Sequence, residues 1–263
     1  MKSIRIAALG AVLFAIAPAL ALAATLEETE AKILEAFAKV KTMTADIVMD
    51  VPADSEAQGP QVSAGGNLAY LADGEITKFT QELAMKMELP DGLREMTLKM
   101  VCDGESLYVL THSGDEQRAV KSRIEDILDF PPPGGKLLLQ ALKRDFAKLD
   151  ALENREADGK ACYVIQGSLD ESGAAANKLL VYFDKETGAP VQMVMQPEEG
   201  AKPATLRYEN IRINPEIDPA RFVFVAPDGV EVIDTTQAPP PPTIEMNVEP
   251  APVEETPDAP DAP

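Results

Sequence analysis

Apolar positions along this chain change their period several times. Leu26, Ile33, Leu34, Phe37 and Val40 recur at helical spacing behind Thr25-Leu26-Glu27-Glu28, which has the form of a capping box, and predict an amphipathic helix up to about Lys41. From Met43 the period becomes two. Met43, Ala45, Ile47, Met49 and Val51 alternate with Thr44, Asp46 and Asp50, as in a half-buried strand. Strand-like runs follow at 66–71, 79–89, 94–102, 106–111 and 118–121, with Asp73-Gly74, Asp91-Gly92 and Asp103-Gly104 as hairpin signals between them. Ser122-Arg123-Ile124-Glu125 then opens a short helix that Pro131-Pro132-Pro133 stops, and Leu138, Leu139, Leu142, Phe146 and Leu149 form the stripe of a second one. Strands resume at 161–167, 178–184, 191–196, 204–213 and 221–225, with turns at Asp158-Gly159, Thr187-Gly188 and Asp228-Gly229. The pattern predicts an α+β fold, mainly β: one large, mostly antiparallel sheet with few helices.

The two ends read differently from this middle. Lys2 and Arg5, the apolar run from Ile6 to Leu22 and the small residues Ala21-Leu22-Ala23-Ala24 have the form of a signal peptide over 1–23, so the protein is expected to be exported and soluble. Residues 24–235 are expected to form one domain. The segment 236–263 is acidic, proline-rich and free of aromatic residues; it is expected to stay disordered, as a solvated terminus or as a spacer or docking tail. Loss of Lys2 and Arg5 takes the formal charge from −20 to −22, which excludes nucleic acid as the natural partner. Cys102 and Cys162 both fall in strand-like segments. In an oxidising compartment they form a disulfide only if those strands are neighbours, and otherwise remain buried thiols.

Candidate chemistry is sparse. The single histidine, His112, cannot build a multi-histidine metal site, and without a Gly-x-Ser-x-Gly elbow it reads as an exposed strand-end residue. Acid pairs such as Glu27-Glu28 and Glu198-Glu199 lie in helix-start or loop contexts and read as solvated charge, and no phosphate-binding loop follows a strand. No catalytic residue, metal or cofactor is therefore expected. The apolar strand faces are more informative. Leu83, Met85, Met87 and Leu89 share one face; Met96, Leu98, Met100 and Cys102 line the next strand, and Val191, Met193 and Met195 a later one. Methionine adapts to apolar partners of varied shape, so these faces suit either a deformable cavity for acyl chains or an ordinary core.

Three stretches carry a family resemblance: the helix-to-strand passage from Val40 to Ile47, the segment Val181 to Pro190, and the ending Asn214 to Phe224 closed by Pro227 to Asp234. Over about Glu27 to Asp234 the chain resembles the LolA-type periplasmic carriers of outer-membrane lipoproteins and their wider superfamily. The resemblance implies an incomplete, strongly curved antiparallel β-barrel with an N-terminal helix and inserted lid helices over an apolar cavity. It places a lid within 122–149, with Leu138, Leu142 and Phe146 facing the cavity. It further implies a monomer whose partner is an acylated lipoprotein or another lipid, with a membrane-bound donor or acceptor protein. One departure stands out: dedicated carriers have an arginine just after the Gly-x-Leu strand, and Gly66-Asn67-Leu68-Ala69-Tyr70-Leu71-Ala72 has none. A divergent lipid carrier or lipid sensor is the resulting expectation, with a self-filled protein-interaction module as the alternative.

Overall fold

The computed structural model describes residues 25–53, 60–73, 76–89, 91–124, 134–169, 178–196 and 202–237. The expected signal peptide, the expected short helix beyond Ile124 and nearly all of the acidic tail lie outside these residues, while Ser122 and Arg123, expected to open that helix, end a strand instead.

Thr25 caps the opening helix as its sequence predicts. Its hydroxyl accepts from the Glu28 amide at 3.2 Å while the Glu28 carboxylate accepts from the Thr25 amide, and helix α1 (Leu26–Phe37) buries Ile33, Ala36 and Phe37. Strands β1 (Thr42–Val51), β2 (Gln61–Asp73), β3 (Ile76–Leu89), β4 (Gly92–Cys102), β5 (Ser106–Ser113) and β6 (Glu116–Arg123) form a first antiparallel meander. Helix α2 (Gly135–Asp145) follows. A second meander comprises β7 (Lys148–Ala157), β8 (Lys160–Ser168), β9 (Lys178–Asp184), β10 (Pro190–Gln196) and β11 (Ala204–Ile213). Strand β12 (Val232–Asp234) adds in parallel to β6. The result is one curled sheet of twelve strands, ordered β12-β6-β5-β4-β3-β2-β1-β11-β10-β9-β8-β7 and not closed into a barrel. The expected half-barrel, mainly β, is the fold, with two α-helices among the described residues.

The meanders meet at β1 and β11. There the register slips between Thr44 and Asp46, leaving Asn210 and Ile211 opposite Ala45, and the extra length bends the seam. Asn210 adopts φ 51°, which asparagine tolerates, and its amide donates to Asp46 Oδ2 at 2.7 Å. Asn214, at φ 57°, fastens the end of β11 to the start of the domain. Its Oδ1 accepts from the amides of Lys41 (2.8 Å) and Thr42 (3.3 Å), and its Nδ2 donates to the Lys39 carbonyl.

Two expectations are corrected. The stripe through Phe146 and Leu149 is not one helix: α2 ends at Asp145, Phe146 is already extended at φ −115° and ψ 132°, and Leu149 belongs to β7, an unpredicted strand that pairs with β8. Ladder hydrogen bonds along β8 outweigh a helical spacing that continues past the helix by coincidence. The segment 221–225 is not a paired strand either. Asp218 caps a 3-10 turn at Pro219–Phe222, after which Phe224 stacks on Tyr108 of β5 at 4.9 Å and the chain reaches β12. Phe222 is buried and Arg221 donates to Asn67 at 3.2 Å, so this segment straps the outer face of the first meander.

Asn214→Ala loses three hydrogen bonds and strains a positive φ, and is expected to lower the unfolding free energy in urea by about 1–3 kcal/mol. Asn214→Gly, which keeps the backbone conformation, should lose less.

Candidate functional site

The inner face of the sheet is the one on which the helices pack. Leu138, Leu139 and Leu142 of α2 and Ile33 and Phe37 of α1 share one cluster with Phe79, Leu83, Met85, Leu98, Met100, Val181 and Met193. The strand registers align this face into rows across the sheet. In one row Met96 pairs with Met85, Met85 with Ala64, Ala64 with Met49, Met49 with Leu206, Leu206 with Met193 and Met193 with Val181. Four methionines therefore lie on a single line that crosses the seam between the meanders.

The helices cover one end of this face. Phe37 meets Tyr70 edge to face at 5.3 Å, and Gly134 and Gly135 sit so close that an added Cβ would come within 2.9 Å of Tyr70 and 3.2 Å of Phe37. Lys143 of α2 donates to Glu30 of α1 at 2.6 Å and ties the two helices together. From Tyr70 to Ala64 on the methionine row is roughly 20 Å along β2, at about 3.3 Å per residue. Met49 and Met96 are half-buried on that row; Met87 and Leu89 continue half-buried beyond it on β3, and Met195 ends β10 at 39% exposure. This face is thus filled by the chain's own side chains at its helical end and carries partly exposed methionines at the other.

The sequence-derived residues divide accordingly. Leu83, Met85, Leu98, Met100 and Met193 are buried on the inner face, and Met96 is half-buried there. Leu138 and Leu142 point into the same cluster, and Phe146 lies on Gly167, where an added Cβ would come within 2.7 Å of its ring. Gly167 pairs with Leu179, and Leu179 with Met195, which puts Phe146 beside the open end. Val191 is misplaced by the simple alternation. Pro190 pairs with Phe183 and Gln192 with Tyr182, so Val191 is the extra residue of a bulge and packs on the outer face with Val164, Leu180 and Tyr182. Met49, Leu206 and Tyr208 join the inner face without having been among the expected cavity residues. The alternation in β1 already pointed to Met49, whereas Leu206 and Tyr208 enter only through the seam register. Burial holds the Tyr208 phenol above its usual range.

The outer face has a different character. A hollow of about 1010 Å³ over β3, β4 and β5 includes Ala84, Thr97 and His112 in one cross-strand row, with Lys86 and Glu95 3.3 Å apart beside them. A second of about 410 Å³ involves Asn67 and the ion pair of Glu82 with Lys99 at 2.8 Å. Met85, Leu93 and Met96 also line the larger hollow, beside the charged Lys86, Arg94 and Glu95. His112 is exposed here. Among the described residues no group of His, Cys, Asp and Glu is arranged to hold a metal ion.

The disulfide is excluded. Both cysteines are free and buried: Cys102 lies in the inner cluster on β4, while Cys162 lies in the outer-face cluster on β8, and these strands are not neighbours in the sheet. Burial pushes the Cys102 thiol up to about 11 and raises that of Cys162 as well. No helix among the described residues is long and apolar enough to cross a membrane.

No family model matches the chain. It is 22% identical over 209 residues to the uncharacterized protein MJ0687 of Methanocaldococcus jannaschii, a match that covers 80% of this chain and 54% of that protein, so the chain spans about half the length of this curated relative. Among solved structures it is similar to an uncharacterized conserved protein from Thermus thermophilus (TM-score 0.43, 11% identity, covering 79% of this chain and 98% of the other). It is also similar to LprF from Mycobacterium bovis (0.38, 12%, 74% and 98%) and to a domain named for outer membrane lipoprotein sorting from Vibrio parahaemolyticus (0.35, 13%, 74% and 96%). The half-barrel stands on the sheet order and registers, not on these likenesses.

A thiolate is the form that reacts with alkylating agents, so two raised thiols inside a folded sheet should be protected. Iodoacetamide at pH 8 is expected to leave the native protein unmodified over a time in which the unfolded, unreduced protein gains two labels by mass spectrometry. A single label or none on the unfolded chain would show that the cysteines had been oxidised.

Proposed function

We propose that this chain is an exported, periplasmic carrier or binding protein, of divergent LolA-like kind, that shields acyl chains of a lipoprotein or another lipid on the inner face of its half-barrel. The observation that carries this reading is a set of partly covered methionines on that face, Met49 and Met96 on the methionine row and Met87 and Met195 beyond it. Apolar side chains left half-open beside a filled core offer area for a ligand, and methionine lets that area follow chains of different shape. The physical need is large. Exposing an acyl chain of about 14 carbons to water costs on the order of 10 kcal/mol at about 0.8 kcal/mol per CH₂, so such a chain crosses an aqueous compartment only when covered.

On this reading the protein carries out no covalent chemistry, acts as a monomer and exchanges its ligand with a membrane-bound donor or acceptor. Its acidic surface favours a neutral or basic partner over nucleic acid. A second reading has its own support. Leu138, Leu139 and Leu142 already fill the helical end almost completely, as they would in a module that binds another periplasmic protein and no lipid.

Native mass spectrometry of protein prepared without detergent, followed by titration with a fluorescent acyl probe, separates the two readings. Lipid bound as purified, or probe binding that Met87→Glu and Met96→Glu each weaken by at least tenfold with little change in Tm, is the expected result. Thr97→Glu on the outer face should leave binding unaltered. A folded protein that is empty and ignores the probe, but purifies with a stoichiometric protein, would establish the second reading instead.

A further inference from the structure

We infer that Gln81 is a specificity-determining residue of the inner face, selecting acyl ligands that carry a neutral carbonyl oxygen, an ester or amide, over those that offer only hydrocarbon and ether; this rests on the acyl-binding reading above. Gln81 lies on β3 between Phe79 and Leu83, both inner-face residues, and is 2% exposed. Its partners across the ladder are Met100 on β4 and Leu68 on β2, with Val109 beyond Met100 and Ala45 beyond Leu68. Every member of that row except Gln81 is apolar. The side-chain Nε2 is buried and finds no hydrogen-bond acceptor among the described residues.

A primary amide has two N–H donors, and leaving its nitrogen unpaired in an apolar row costs stability that a methionine at the same place would not. A ligand acceptor removes this cost. No cation adjoins the amide in this row to balance a carboxylate or phosphate, so the matching acceptor is a neutral carbonyl. The position also fits. Gln81 stands one row from the helix-covered Phe79 and Tyr70, and along the same face of β3 lie Leu83, Met85 and Met87. Gln81 and Met87 are about 20 Å apart along the strand, the order of an extended long acyl chain. A ligand with its carbonyl at Gln81 sends its chain along these residues to the methionine end.

The test uses the full chain and two lysophospholipids with the same head group and sixteen-carbon chain, one ester-linked and one ether-linked, so that the probes differ in the carbonyl. Each competes with a fluorescent acyl probe below its micelle concentration. The wild type should bind the ester about tenfold more tightly, the scale of one hydrogen bond. Gln81→Met should abolish this preference while keeping the ether affinity, with Tm equal to or above that of the wild type. Equal binding of both lipids by the wild type overturns the inference but leaves the carrier reading standing, and decides the matter even if the variant does not fold. A preference for the ester that survives in folded Gln81→Met also overturns it. Binding of neither lipid overturns the carrier reading and the inference with it.

Discussion

The pairing of β1 with β11 is the constraint on which the rest of the structure depends. Each meander alone is a sheet with two free edges and one apolar face; joined at this seam, they become one curled surface with a shared interior. Residues 43–50 pair with 205–213, so the joint closes only after almost the whole domain has been made. Asn210 and Asn214 are the local devices that hold it. Each takes a positive φ; Asn214 satisfies backbone groups of Lys39, Lys41 and Thr42 with its side chain, and Asn210 donates to the Asp46 carboxylate across the seam.

Because the seam sets the register between the meanders, it also assembles the methionine row. Met85 and Met96 come from one meander and Met193 from the other, and Met49 with Leu206 is the contact between them. The helices impose the second division. Tied by Lys143 and Glu30 and packed through closely approaching glycines, they cover the Tyr70 end, and Phe146, at the end of α2, lies against Gly167. One sheet face thus has a densely packed region and a region whose methionines are only half-buried. Gln81 falls between the two.

Much of this was legible in the residues. Period-two alternation from Met43 to Val51 and from Phe79 to Cys102 puts the right side chains on the inner face, and Thr25 with Glu28 announces the first helix. The signals failed where local pattern and long-range pairing disagree. Phe146 and Leu149 keep helical spacing although the chain has already left α2, because β8 offers the following segment a complete ladder. Val191 keeps the alternation of Met193 and Met195, but one bulge residue turns it to the opposite side. The two cysteines gave no hint that they lie on opposite faces of distant strands.

The sequence by itself determined which residues are apolar at each period, where the chain turns, and that it holds a single histidine. These are local properties, written in neighbours a few positions apart. Tertiary structure alone decided the order of the strands, the alignment of four methionines on one row, the separation of Cys102 from Cys162 and the isolation of the Gln81 amide. All four depend on registers between strands that are far apart in sequence, and a shift of one residue in any of them would turn a different set of side chains inward.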